Sequence, residues 1–322
     1  MRRFVFAGIV LALALTGCSA AGAPSGASSA TAVRVASLKG PTTMGLVSLM
    51  DKAAKGTTAQ PYSFTVAGTP DAVSGPLVAG QYDIALVPVN LAAVLYNKTA
   101  GAVLLAAVNT LGVLYIVTGD PAVTSLADLA GKTVLNSGKG TTPQFVLDEV
   151  LTSANVADVN VDYRSQPTEE ASVLAATPTT IAVLPEPYVT AAIAANPAVH
   201  IVADLNDAWQ QATGVPLVTG CVAVRTAFAD VNPGAVATFM REYAASVSFV
   251  NDNPADAAPL IVAQGLAPDN AVAQAAIPRA HIVDLTGPDA KAAVGAYLNV
   301  LYAADATSVG GSIPDDSFYY NA

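Results

Sequence analysis

The chain repeats one order of local patterns at two places. Around residues 37–43 and 137–143, a segment rich in Gly and Thr follows a β-prone run and precedes a helical pattern. In both copies a second strand, a second helix and a third strand ending in proline come next. The third strands are Ile84–Pro88 and Ile181–Pro185. Because strands that alternate with helices form largely parallel sheets, the repeat predicts two α/β lobes of similar design.

Two further apolar runs lie where the repeated halves join. Residues 108–117 lead out of the first half, and residues 217–224 lead back from the second. The sequence then turns helical, and Pro233 with Asn232 before it suits the start of a helix. These helices are expected to return and cover the first lobe. The tail from residue 310 resembles a loop, which three aromatic residues could dock: Phe318, Tyr319 and Tyr320.

The domain organisation follows from these joins. We expect lobe 1 to comprise residues 32–110 and 225–322, and lobe 2 to comprise residues 111–224, crossover strands included. The predicted fold class is therefore α/β, with two lobes, paired crossover strands and the type II arrangement of periplasmic binding proteins.

The N-terminus predicts export and a lipid anchor. Arg2 and Arg3 precede an apolar run over residues 4–15, which has the length of a signal-peptide core and is short for a membrane span. The next residues, Leu15-Thr16-Gly17-Cys18, resemble a bacterial lipobox, in which the cysteine is acylated and the chain is cut just before it. Residues 1–17 are thus predicted to be a lipoprotein signal peptide with lipid attached at Cys18. The alternative is an ordinary secretory signal.

Residues 18–31 are predicted to be a flexible tether. After Cys18 the segment is made almost wholly of Ala, Gly, Ser, Pro and Thr, which bury too little apolar surface to become ordered. If Cys18 carries lipid, Cys221 has no disulfide partner. Its apolar, strand-like neighbourhood instead predicts a buried and inert thiol.

Composition excludes several classes of protein. With 53% apolar and 12% charged residues the chain is not disordered. Its net charge of -10 argues against binding nucleic acid, or an anionic membrane, through a basic face.

Together these features resemble the extracytoplasmic solute-binding lipoproteins of ABC importers. Four runs look like the branch that includes nitrate, sulfonate, taurine and thiamine-precursor binders: residues 39–45, 83–90, 109–115 and 184–187. The resemblance implies a monomer, without a cofactor, that is lipid-anchored at the extracytoplasmic face of the cell membrane. Its implied partners are a small solute and an ABC permease.

Candidate solute-binding residues lie where helices follow strands. In α/β sheets ligands bind beyond the carboxyl ends of strands, where free backbone N–H groups and the helix dipole favour a negative group. We therefore expect an anionic or zwitterionic solute. The two Gly/Thr loops supply these candidates: Lys39, Thr42, Thr43, Lys139, Thr141 and Thr142. The alternative is that these residues only form the turns and cap the helices.

Other candidates follow apolar strands. Glu186 lies between two prolines and could pair with a solute amine, and Asn90 occupies the matching place in the first half. Asp71 could contact solute, although a helix cap is favoured. Asn109 and Thr110 could face the cleft from the hinge.

No catalytic motif emerges from the sequence. Glu169 and Glu170 are adjacent and point about 100° apart on a helix, so they form no carboxylate pair on one face. His200 and His281 have no spacing typical of a metal site. The sequence therefore predicts a binding protein and not an enzyme, with no metal. A lipid-anchored sensor and an extracytoplasmic enzyme on the same fold are the alternatives.

Overall fold

The computed structural model describes residues 32–321, which form two α/β lobes. The predicted signal peptide, the tether and Cys18 lie outside the described residues. Within residues 32–321 the strands are, in chain order, β1 (Val33–Leu38), β2 (Tyr62–Ala67), β3 (Ile84–Pro88), β4 (Val103–Leu111), β5 (Leu114–Thr118), β6 (Thr133–Ser137), β7 (Asn160–Arg164), β8 (Ile181–Pro185), β9 (His200–Asp204), β10 (Val218–Arg225) and β11 (Ile282–Leu285).

The helices alternate with these strands in the first two thirds of the chain and then follow one another. In chain order they are α1 (Pro41–Met44), α2 (Val47–Ala54), α3 (Asp71–Val78), α4 (Val89–Lys98), α5 (Thr142–Ser153), α6 (Pro167–Ala176), α7 (Tyr188–Ala195), α8 (Leu205–Thr213), α9 (Thr226–Val231), α10 (Pro233–Asp252), α11 (Pro254–Ala263), α12 (Asn270–Ala276) and α13 (Gly287–Ala304). α10 begins at Pro233 with Asn232 as its N-cap residue, as the sequence predicts.

Each lobe is built on its own sheet. Lobe 1 has six strands in the order β11-β4-β10-β3-β1-β2, and lobe 2 has five in the order β7-β6-β8-β5-β9. The repeated halves supply parallel pairs in both: β1 with β2 and β3, and β6 with β7 and β8. The central strands β3 and β8 are almost wholly buried because helices cover both faces, which explains their unbroken apolar sequences. The predicted fold class is confirmed.

The chain crosses between the lobes through two neighbouring segments. The predicted strand over residues 108–117 is in fact two strands, because β4 belongs to the first sheet and β5 to the second, with Gly112 and Val113 between them. β10 returns the chain and pairs antiparallel with both β3 and β4. We therefore assign residues 218–224 to lobe 1, whereas the sequence prediction placed them in lobe 2.

Apolar helix faces cover both sides of each sheet. In lobe 1, α3, α4 and α13 pack on one face, and α2, α10, α11 and α12 pack on the other. In lobe 2, α5 and α8 cover one face, and α6 and α7 cover the other. The core that contains α13 continues into lobe 2, where the rings of Tyr297 and Trp209 lie 5.4 Å apart between centroids. The two lobes therefore share a buried apolar contact beside the crossovers.

One helix is interrupted where packing is close. The sequence predicts a helix over residues 44–54, but α1 ends at Met44 and α2 begins at Val47. At Gly45 the carbonyl accepts a hydrogen bond of 2.7 Å from Ser246 Oγ, and a Cβ atom there would lie 3.0 Å from the Tyr243 hydroxyl. Contacts with α10 thus break the helical run.

The C-terminal tail docks through its aromatic residues. The Phe318 ring meets Tyr96 edge-on at 5.2 Å, and Tyr320 N donates to Leu105 O at 2.8 Å. Tyr319 forms a parallel bridge with Leu105, so the tail covers part of the β4 edge. Over residues 32–321, no helix combines the length and the apolar character that a membrane crossing requires.

Candidate functional site

A cleft between the lobes encloses about 760 Å³, its open mouth included. Segments that follow β1, β2 and β3 line it from lobe 1, and segments that follow β6, β7 and β8 line it from lobe 2. The lining residues are Leu38, Lys39, Pro41, Thr42, Gly68, Pro70, Pro88, Val113, Leu114, Ser137, Gly138, Thr141, Thr142, Pro143, Ser165, Pro167, Pro185, Thr219 and Gly220. The repeat therefore brings matching loops to face each other, as the carboxyl-end rule for α/β sheets requires.

The chemistry of this lining is simple. Prolines and aliphatic side chains form most of the wall, and Ser and Thr hydroxyl groups supply the polar points. Among the described residues that line the cleft, Lys39 is the one ionisable side chain, and it is exposed at the rim. Such a wall can hold a compact solute by apolar contact, with orientation set by a few hydrogen bonds.

The loop after β6 brings the backbone close to the cleft. Gly138 has φ +69°, a left-handed conformation that favours glycine, and a side chain there would overlap Thr141 Oγ1. Thr141 Oγ1 donates to Gly138 O at 2.6 Å, which holds the turn before α5. Thr141 thus contributes both to the turn and to the cleft wall.

The two Gly/Thr loops contribute some of the predicted site residues to the cleft lining and not others. The predicted site residues that line the cleft are Lys39, Thr42, Thr141 and Thr142. The predicted site residues that lie elsewhere are Thr43, Asp71, Asn90, Asn109, Thr110, Lys139 and Glu186. Direct contact with solute stays a prediction for all of them.

Thr43 and Asn90 are buried behind the wall. Thr43 Oγ1 lies 2.7 Å from Ser37 Oγ and 2.6 Å from Leu38 O, so its hydroxyl ties α1 to β1. Asn90 Nδ2 donates to Gly140 O at 3.2 Å, a hydrogen bond that joins the lobes. Their side chains therefore fasten the loops that line the cleft.

Thr142 connects the cleft wall to this lobe contact. Its Oγ1 donates to Asn90 Oδ1 at 3.3 Å and accepts from the Tyr297 hydroxyl at 3.2 Å. The three side chains come from α5, α4 and α13. The polar contact between the lobes thus begins directly behind the cleft.

Glu186 has protein partners for its carboxylate. It is wholly buried, and Oε1 accepts from Arg279 Nε at 2.7 Å while Oε2 accepts from Thr190 Oγ1 at 2.8 Å. Arg279 follows α12 in a short 3-10 turn, so this ion pair reaches lobe 2 from the C-terminal helices of lobe 1. The predicted solute amine would have to compete with Arg279 for this carboxylate.

The remaining candidates lie outside the cleft lining. Asp71 is exposed in the first turn of α3, where Pro70 occupies the N-cap position and no described side chain caps the helix, so the favoured cap role of Asp71 is wrong. Asn109 Oδ1 accepts from Thr110 Oγ1 at 2.9 Å, and both residues are buried in β4. The exposed Lys139 ammonium group lies 5.7 Å from the centre of the Tyr163 ring.

The cysteine and histidines lie away from the cleft. Cys221 is completely buried in β10, and burial raises the pKa of its thiol, which agrees with the predicted inert role. His281 Nδ1 contacts the carbonyl of Gly112 in the crossover, and His200 Nε2 lies 2.9 Å from Val123 O. Among residues 32–321 no group of three or more His, Cys, Asp or Glu side chains could hold a metal ion.

Sequence reasoning missed two matching loops and one crossover segment. Residues 68–70 follow β2 and residues 165–167 follow β7, so they occupy equivalent places in the two halves. The internal repeat could have predicted these two loops, because the second strand of each half is followed by a proline-containing turn and a helix. Thr219 and Gly220 at the start of β10 also line the cleft.

Comparison with known proteins agrees with this architecture. The model of the family described as menaquinone biosynthesis matches residues 41–299, which is most of the chain. The chain belongs to this family. No curated protein sequence matches it.

Solved structures show the same fold at low sequence identity. An ABC transporter structure from Parabacteroides distasonis has 24% identity and a TM-score of 0.75, over 90% of this chain and 99% of that one. The periplasmic aliphatic sulphonate binding protein of Escherichia coli has 15% identity and a TM-score of 0.68, over 85% and 87% of the two chains. The periplasmic nitrate-binding protein of Synechocystis has 11% identity and a TM-score of 0.62, over 87% and 84%. The resemblance to periplasmic binding proteins is thus confirmed for the fold.

Proposed function

We propose that the chain is the solute-binding subunit of an ABC importer, which captures a small metabolite between its lobes and delivers it to a permease. The observation that carries this proposal is the cleft lining, where the hydroxyl groups of Thr42, Ser137 and Thr219 are set among apolar side chains. Hydroxyl groups set among apolar side chains can bind a small solute reversibly through a few hydrogen bonds. The sulphonate-binding and nitrate-binding proteins, which have the same fold, support the proposal.

An anionic group on the solute fits this lining better than an amine. Lys39 places a positive charge at the rim, whereas the carboxylate of Glu186 is already paired with Arg279. A solute with one negative end and a compact body is therefore favoured over a zwitterion.

The N-terminal sequence supports a lipid anchor on the extracytoplasmic face of the membrane. Acylation at Cys18 followed by the tether would keep a monomeric body beside the permease. In cells, Cys18→Ser should release the chain from the membrane fraction or leave the precursor uncut. Unchanged acylation and mature mass in that variant would refute the anchor.

The family match favours a second candidate function. Because the family is described as menaquinone biosynthesis, an enzyme that converts a small precursor in the same cleft is the alternative. A lipid-anchored sensor would bind solute without any permease.

Mass spectrometry of protein purified without refolding separates binding from catalysis. A binding protein should carry one small molecule per chain, and extraction identifies it. Incubation of that molecule with catalytic amounts of the chain should leave its mass unchanged. Steady conversion would instead establish the enzyme.

A further inference from the structure

Glu170 is a buried acid close to the lobe 2 wall of the cleft. It lies in the first turn of α6 with none of its surface exposed. Among residues 32–321, neither of its carboxyl oxygens has a hydrogen-bond partner of ordinary geometry, although the Ser137 hydroxyl lies close enough to lower its pKa. Burying a carboxyl group without hydrogen-bond partners lowers the stability of the folded chain, so the presence of Glu170 at this position needs a specific explanation.

The helix that carries Glu170 packs on the lobe 2 sheet, and the groups that influence its carboxyl group include Ser137 and Arg164 at the end of that sheet. α6 packs over β6 and β7, whose last residues Ser137 and Arg164 are register partners. Arg164 Nη2 pairs with Asp162 at 2.6 Å, while its buried Nε has no hydrogen-bond partner in the described part of the chain. Ser137 is 4% exposed and lines the cleft. Ser137 therefore belongs both to the cleft wall and to the strand that packs against the helix of Glu170.

We propose that Glu170 is a positioning residue, whose buried carboxyl group orients the Ser137 hydroxyl toward the solute. This inference rests on the proposed solute-binding function of the cleft. A hydroxyl group has one hydrogen to donate and two lone pairs that accept. If Glu170 fixes the hydrogen or a lone pair of Ser137 on one side, it decides whether Ser137 donates to or accepts from the solute on the other side. Glu170 would thereby select the hydrogen-bonding group of the solute without touching it.

The surroundings of Glu170 keep it protonated at neutral pH. Burial raises its pKa to about 9, and the Ser137 hydroxyl and the Arg164 charge oppose this rise. The other titratable groups on packed elements are Asp162 and Tyr163 on β7, Tyr188 on α7 and Glu169 on α6 itself. β6 and β8 contribute none. A neutral carboxyl group can both donate to and accept from Ser137.

Thiol reactivity at position 137 tests this coupling without any solute. Full-length chains carrying Cys18→Ser and Ser137→Cys are compared with and without Glu170→Gln, using methyl methanethiosulfonate as the probe. Cys221 is completely buried and serves as the silent background thiol. With Glu170 present, thiol and carboxyl group should titrate together, and the rate should rise with pH in two steps. With Glu170→Gln the rise should be a single step, and superimposable profiles would overturn the proposal.

Solute retention gives a second, independent measurement. In native mass spectrometry, Glu170→Leu should carry at least about tenfold less co-purified molecule than the parent. Glu170→Gln should recover most of the occupancy that Glu170→Leu loses. Equal occupancy in Glu170→Leu would contradict the positioning role. If the parent itself carries no molecule, the proposed function fails, while the thiol profiles still decide whether Glu170 acts on position 137.

Discussion

Thr42 and Thr43 are neighbours with different surroundings, so they separate binding from folding. Thr42 lines the cleft, while the Thr43 hydroxyl is buried against Ser37 and Leu38. Thr42→Ala should weaken binding of the co-purified molecule by about tenfold, because one hydrogen bond to a charged group is lost. Thr43→Ala should instead lower the free energy of unfolding by roughly 1–2 kcal/mol and leave affinity per folded molecule unchanged. Calorimetry measures the affinity and urea unfolding measures the stability. If Thr42→Ala and Thr43→Ala both bind the molecule with the affinity of the parent, Thr42 does not belong to the site.

Glu170 makes the stability of the fold depend on pH. Its folded pKa of about 9 lies above the ordinary 4.5, so across this interval the folded chain holds a proton that the unfolded chain has released. Stability should therefore fall as pH rises from about 5 to 9, and Glu170→Gln should remove this slope. We expect the variant to be roughly 2–4 kcal/mol more stable than the parent at about pH 8.

Urea unfolding at several pH values measures this slope. Glu169→Gln is the matched control, because Glu169 is the half-exposed neighbour on the same helix. Parallel curves for the parent and Glu170→Gln would contradict the assignment of a neutral buried acid.

Whether a site residue could be predicted from the sequence depended on which residues its side chain contacts. Lys39, Thr42 and Thr141, which residue type and loop position indicated as candidates, line the cleft. Residue type and loop position could not show that Arg279, 93 positions away, forms an ion pair with Glu186. Partners that come from distant segments decide whether a polar side chain faces the cleft or is already satisfied.

The element that joins the lobes depends on a glycine. A Cβ atom on Gly112, between β4 and β5, would overlap the side chain of Asn206 at the start of α8. Gly112→Ala should therefore lower the free energy of unfolding by roughly 1–3 kcal/mol through overpacking. Gly75→Ala in α3 is the control, because a Cβ there meets nothing within 4 Å and should change stability by about 1 kcal/mol at most, in the stabilising direction. A Gly112→Ala variant as stable as the parent would show that the crossover has room to move.

The order of elements was predictable, while their sheet partners were not. Local patterns predicted the three strands of each half, the helix between the second and third strands, and the long helices after Pro233. The sequence does not reveal that β10 inserts between β3 and β4, because antiparallel pairing with distant strands leaves no local pattern. α4 and α7 were not predicted, because α4 begins directly after Pro88 at the end of β3 and α7 begins three residues after Pro185 at the end of β8.

The lobes meet at the mouth of the cleft as well as behind it. Gln166 Oε1 lies 2.7 Å from the place where a Cβ on Gly68 would stand, which brings the edges of the two lobes together. We expect solute to favour this arrangement, with rotation about the crossovers in its absence. Small-angle scattering should give a smaller radius of gyration with the co-purified molecule than after its removal, and identical curves would count against closure.

The buried Trp209 offers a control for this motion. It is the single tryptophan of the chain, and it packs on Tyr297 beside the crossovers, where both lobes share one core. Its emission maximum should stay constant while the radius changes, because the contact lies near the axis of rotation. A shift to longer wavelength would show that this contact opens too.

We propose that the cleft holds a solute reversibly and leaves it chemically unchanged. Titration of solute-free chain with the co-purified molecule, followed over hours by calorimetry and by mass spectrometry of the same solution, tests it most directly. We expect saturation at one molecule per chain, with all of the added molecule recovered at its original mass. Continuous heat release at saturation, together with a product of different mass, would contradict reversible binding and identify the chain as an enzyme.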